Sequence, residues 1–177
     1  MTKLLSALLL AAALVPAQAA TLQADKSDLS FTFKQMGVAS DGKFKKFDAQ
    51  LDFDPKKPEA GKIAFTVDLG SVSLGDASFD AELAKVPWFD TKRNGKATFV
   101  STGIKATGPG KYDVAGKLTI KGAVRDVVVP ITLAGGVAQG SVPIKRLDFK
   151  IGDGEWADTS VVANDVVVKF KLSFAGL

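Results

Sequence analysis

A chain of 177 residues with neither cysteine nor histidine is long enough to bury a core without disulfides or a structural metal. It also lacks the ligands of most zinc, copper and haem sites and the usual acid–base side chain. Its 23 Lys and Arg against 19 Asp and Glu leave a net charge of +4, but the cations are scattered over polar positions, which reads against nucleic acid as a partner.

The chain opens with Lys3, an apolar run over residues 4–15, Pro16, and Ala17, Gln18 and Ala19 as an A-x-A site. These are the three parts of a secretory signal peptide, and the run falls short of the roughly 20 residues that span a bilayer. Residues 1–19 are therefore expected to be removed, leaving residues 20–177 as one exported domain in the periplasm. No cysteine is present to carry a lipid anchor.

Two-residue alternation follows almost everywhere. Leu29, Phe31 and Phe33 alternate with Ser30, Thr32 and Lys34; Phe47, Ala49, Leu51 and Phe53 with Asp48, Gln50 and Asp52; Ile63, Phe65, Val67 and Leu69 with Lys62, Ala64, Thr66 and Asp68. Each set predicts a strand with one dry face. Further strands are predicted over 96–104, 111–121, 126–134, 140–151 and 165–174. Turn residues separate them: Asp41 with Gly42, Asp54 with Pro55, then Gly108 to Gly110, Gly122, and Gly135 with Gly136. Roughly eight evenly spaced strands describe an all-β barrel or sandwich. Pro130 and Pro143, inside predicted strands, imply bulges, strand ends or short edges.

One stretch has a different period. In residues 76–90, Phe79, Leu83 and Val86 follow i, i+4, i+7 spacing, Asp76 or Ser78 can cap the start, and Pro87 stops it. A short helix with one dry stripe must lie on apolar surface, and in a barrel that place is the mouth.

Motifs for chemistry fail on inspection. Residues 37–44 nearly spell a phosphate loop, but Phe44 stands where the metal-binding hydroxyl belongs and a strand follows. Ser40 and Lys43 match S-x-x-K without its partner motifs, in a predicted turn. Asp153, Glu155 and Asp158 lack the order of a calcium loop and read as a plain turn beside Trp156. Asp52 and Asp54 alternate outward. With no histidine, thiol or nucleophile elbow, the reading is a protein that is not an enzyme and holds no metal.

Six pieces in order then carry a resemblance: SFTFKQMGV, GKFKKFDAQLDFDPKKP, WFDTKRNGKATFVST, VAGKLTIKGAVRDVVVPITL, KRLDFKIG and NDVVVKFKL. Over residues 30–172 the chain resembles the YceI-like family of exported, lipocalin-like proteins. It departs at residues 93–96, where that family tends to show a Tyr-Pro pair, and at Gln35 and Met36, where a histidine is common. The resemblance implies an eight-stranded antiparallel lipocalin-like barrel with one short helix near the mouth. It also implies a long isoprenoid lipid, of quinone or prenyl phosphate type, as ligand inside the barrel in place of any cofactor. Transient contact with a membrane quinone-reacting protein is a further expectation, and pairing as a homodimer is left open.

The residues agree in their own terms. An eight-stranded barrel can just be filled by side chains or can keep room for one small ligand. The chain has twelve phenylalanines and two tryptophans, and rings line slots well. The candidate lining is Phe31, Phe33, Phe47, Phe53, Phe65, Phe99, Leu118, Ile120, Val129, Ile131, Phe170 and Leu172. Phe79, Leu83, Trp88 and Phe89 are candidates for the mouth. Arg125 and Arg146 are candidates for a polar head group, with solvated surface as the competing reading. The rival for the whole set is a filled core, in a non-catalytic stress or interaction module.

Overall fold

The computed structural model describes residues 20–177. The expected signal peptide lies outside the described residues. Eleven strands occur in the order β1 (Ala20–Leu22), β2 (Asp28–Gln35), β3 (Val38–Phe44), β4 (Phe47–Asp52), β5 (Lys62–Asp68), β6 (Val72–Ser73), β7 (Lys96–Gly108), β8 (Lys111–Ile120), β9 (Ala123–Ala134), β10 (Val137–Lys145) and β11 (Asp165–Ala175). One helix, α1 (Ala77–Leu83), lies between β6 and β7.

The strands β1, β4, β5, β7, β8, β9, β10 and β11 are joined in that order by antiparallel pairing, and β1 pairs with both β4 and β11, which closes an eight-stranded barrel. At the mouth end the wall is continued by β2 on β11, β3 on β2 and β6 on β3. These are the far halves of kinked strands: a short 3-10 turn at Ala24–Lys26 parts β1 from β2, and another at Leu69–Ser71 parts β5 from β6.

Three hairpins turn on two residues with positive φ: Met36 and Gly37, Lys121 and Gly122, Gly135 and Gly136. That geometry matches the twist of the flanking strands. It corrects the predicted turn at Asp41 and Gly42, because residues 38–44 form β3 and the chain reverses at Met36 instead. Gly42 is there for space: a Cβ on it would sit 2.3 Å from Phe31 Cζ. Residues 40–43 accordingly lie in a strand, not a turn. The predicted strand over 140–151 also needs correction. β10 ends at Lys145, and Arg146–Phe149 form a 3-10 turn closed by Lys150 at φ 56°.

The two prolines occupy one seam. Pairing of β9 with β10 stops at Gly140 opposite Ile131; beyond it Pro130 is paired only toward β8 and Pro143 only toward β11. Neither proline has an N–H to extend the ladder.

The helix starts where expected, with the Asp76 carboxylate accepting from Ser78 N at 2.8 Å. That carboxyl is held below its ordinary value, chiefly by the Ser78 hydroxyl and then by backbone N–H groups. The predicted dry stripe is corrected: α1 ends at Leu83, three residues before Val86, and Phe79 at 60% and Val86 at 58% are exposed, with Phe79 at the edge of the cavity and Leu83 packed on the core. Away from the mouth, Ile104, Tyr112 and Val114 belong to a separate buried cluster.

Candidate functional site

The barrel encloses a cavity of about 370 Å³. Among the described residues its lining includes only three with non-aromatic polar side chains, Gln35, Glu82 and Arg146. The predicted wall residues Phe31, Phe33, Phe65, Phe99, Leu118, Ile120, Val129, Ile131, Phe170 and Leu172 all line it, as do Phe79, Leu83, Trp88 and Phe89 at the mouth. Two predicted residues do not. Phe47 is the first residue after the kink between β3 and β4, and its ring packs on Phe65 with centroids 5.9 Å apart. Phe53 lies past the end of β4, where alternation no longer applies, and meets Tyr112 edge-on at 5.1 Å beside a separate void of about 30 Å³.

Three wall glycines keep the lumen open. Phe31 is paired with Gly42 and Phe170 with Gly140, while Phe99 lies diagonally across from Gly116. A Cβ on Gly116 would fall 2.4 Å from Phe99 Cζ, and one on Gly140 2.7 Å from Phe170 Cζ. Real side chains do not approach so closely, so each ring occupies the space above a neighbouring glycine, a seating known to stabilise glycine in sheets. The large rings are thereby spread along the wall.

Other lining residues escaped the sequence. Phe44 packs against Phe31 and Phe89, and Trp156 against Trp88, with centroids 5.4, 6.0 and 5.4 Å apart. Only the strand period continuing through Gly42 could have indicated Phe44. The Trp88 Nε1 is buried without a hydrogen-bond partner among the described residues, and a buried donor left unpaired is costly.

Arg146 corrects both readings made of it. It is 2% exposed, so it is not solvated surface. Its Nε donates to Ala163 O at 3.1 Å, its Nη1 to Ile151 O at 2.9 Å and Gly152 O at 2.6 Å, its Nη2 to Trp156 O at 2.8 Å and Val162 O at 2.6 Å. A guanidinium has five N–H groups, and all five are used, so none remains for a head group. Burial pushes its pKa down. Arg146 is the knot that folds the loop over residues 146–164 across the mouth. Arg125 is exposed, lies outside the lining and donates to Val124 O at 2.9 Å, which places it away from the cavity.

Lys121 ties that loop to the rest of the mouth. Its Nζ donates to Val86 O at 2.7 Å, Pro87 O at 3.3 Å and Lys150 O at 2.7 Å, and lies 3.6 Å from Asp153 Oδ2. Gly152 N and Asp153 N also donate to Pro87 O. The β8–β9 hairpin, the segment after α1 and the 146–164 loop thus meet at one ammonium.

The comparisons agree with this geometry. The model of the YceI-like domain family matches residues 21–174. A UPF0312 protein of Ectopseudomonas mendocina is 33% identical over 164 residues, covering 83% of this chain and 86% of its own. The crystal structure of Burkholderia cenocepacia BcnA superposes with a TM-score of 0.82 at 46% identity, over 87% of this chain and 99% of that one. A polyisoprenoid binding domain from Saccharophagus degradans, implicated in plant cell wall breakdown, shares the fold at 19% identity, with a TM-score of 0.68 over 88% and 97% of the two chains.

Proposed function

Because the chain belongs to the YceI-like domain family, we propose that it is a binding protein that carries or sequesters a long isoprenoid lipid inside its barrel. The observation that carries this reading is the open lumen itself, about 370 Å³ walled by aliphatic and aromatic groups. Small-molecule pockets begin at about this size. Burial contributes about 0.8 kcal/mol per CH₂, so a branched hydrocarbon tail binds without polar contacts. A filled interaction module would not leave such a space.

The ligand we favour has an oxygen-bearing head, as a quinone or a prenyl phosphate has. The unpaired Trp88 N–H at the mouth supports this, since a head-group oxygen would give it an acceptor. The polyisoprenoid binding neighbour of the same fold supports the tail. With residues 1–19 read as a signal peptide, the protein would work in the periplasm, by uptake and release rather than by bond chemistry. A membrane quinone-reacting protein would be a natural recipient.

Organic-solvent extraction of the purified exported protein, followed by mass spectrometry, tests the proposal. A reproducible, near-stoichiometric isoprenoid is the expected result. A protein that is bare, and that takes up no isoprenoid when one is offered, contradicts it.

A further inference from the structure

The void of about 30 Å³ beside Phe53 and Tyr112 shares a wall with the main cavity: Leu51, Ile63, Ile131 and Ala138 line both. The strand period shows why, since residues facing inward recur at every second position. On β4 the main cavity takes Ala49 and Leu51, and the void takes Leu51 and Phe53. On β9 the main cavity takes Val129 and Ile131, and the void takes Ile131 and Leu133. Ile63 on β5 is paired with Leu51, and Ala138 on β10 with Leu133. The shared residues therefore form one layer across the barrel, with the lumen on the mouth side of it and the void behind.

The chemistry of the void suits hydrocarbon and not water. Tyr112 apart, every side chain lining it is a hydrocarbon. Buried water needs several polar partners, and apolar holes stay dry. A void of about 30 Å³ has room for about one or two methyl-sized groups. The layer in front of it is aliphatic, so its side chains change rotamer without giving up a hydrogen bond.

We propose that Leu51, Ile63, Ile131 and Ala138 set the length of isoprenoid tail that the barrel accepts. The tail ends against this layer, and its terminal methyl groups enter the void behind when the aliphatic side chains turn aside. The inference rests on the lipid-binding reading above and adds the residues that measure the tail. Each further buried CH₂ raises affinity about fourfold. Units that reach past the layer's limit stay outside the mouth in water and add nothing, so affinity climbs with tail length and then levels.

The test titrates a series of prenols of rising length, farnesol, geranylgeraniol, geranylfarnesol and solanesol, from detergent micelles into the wild-type protein and two variants. Ala138→Val adds methyl groups to the layer and leaves its neighbours no void to turn into; Leu51→Ala opens the layer. Ala138→Val should weaken every prenol long enough to reach the layer by about tenfold and leave shorter ones within about twofold. Leu51→Ala should move the levelling point to a longer prenol. Length profiles that coincide for the three proteins, all folded by circular dichroism, would overturn the length rule and leave lipid binding standing. If Ala138→Val does not fold, the Leu51→Ala profile decides alone, and a levelling point unchanged from the wild type overturns the proposal. If the wild-type protein binds none of the prenols, the lipid-binding reading falls, and the length rule falls with it.

Discussion

Phe31 lies over Gly42: the two are paired across β2 and β3, and a Cβ on the glycine would fall 2.3 Å from the ring's Cζ. The same point would be 2.7 Å from Leu74 Cδ2. The bore of the barrel at this level is set by a hydrogen atom in place of a methyl group. Gly42→Ala should therefore turn the Phe31 ring toward the lumen, reduce isoprenoid binding, and destabilise the fold by about 1–3 kcal/mol through overpacking. Gly103→Ala is the control, because nothing lies within 4 Å of its Cβ position. Ligand titration with thermal melting on both variants separates them; equal binding would show that the seat does not govern the cavity.

Lys121 should act on the mouth and not on the barrel. Lys121→Met removes one cation from three carbonyls and one carboxylate. Hydrogen bonds to charged groups contribute about 1.5–3 kcal/mol. The expected loss is of that order, about 3–10 °C in melting temperature for a domain of this size. Hydrogen exchange should quicken in residues 84–90 and 146–153 while the β7–β8 ladder keeps its protection. Uniform loss of protection would argue against a local clamp.

Arg146 cannot be replaced by another cation. An ammonium has three donors where the guanidinium has five in a fixed fork. Arg146→Lys should leave two or more buried carbonyls unsatisfied and cost about 2 kcal/mol or more. Chemical denaturation gives the number. A lysine variant as stable as the wild type would show that the five hydrogen bonds are not what holds the loop.

Acid should loosen the mouth only at low pH. The Asp76 carboxyl is held below its ordinary value of 3.8, first by the Ser78 hydroxyl and then by backbone N–H groups; Asp158 is lowered by the Ser160 hydroxyl and backbone. A depressed carboxyl contributes stability that is present above the unfolded value and is lost as pH falls through the folded one. Side-chain carboxyl NMR titrations of Asp76 and Asp158 should have midpoints below 3.8, with α1 intact at pH values above it. Midpoints at or above the ordinary value would contradict the caps.

Much of this was legible in the residues. Phe65 and Val67 or Leu118 and Ile120 alternate cleanly with polar neighbours, so strand, face and lining follow together from the period. Legibility failed where a residue's reason lies across the chain. Gly42 serves Phe31 rather than a turn. Phe53 stands one residue beyond its strand, where the period no longer fixes its direction. Arg146 is a surface residue by type, and its burial depends on carbonyls from residues 151–163, which no local pattern brings together. Phe79 and Val86 follow helical spacing in the sequence, yet α1 ends at Leu83 and both side chains are exposed.

The central claim is that the lumen holds a lipid tail, and a crystal structure of the protein grown with a long-chain isoprenoid quinone tests it most directly. The account predicts continuous density from the mouth at Phe79 and Trp88 down between Phe31, Phe99 and Phe170, with the head oxygen near Trp88 Nε1. A lumen closed by those rings, with the quinone bound elsewhere or absent, would contradict it.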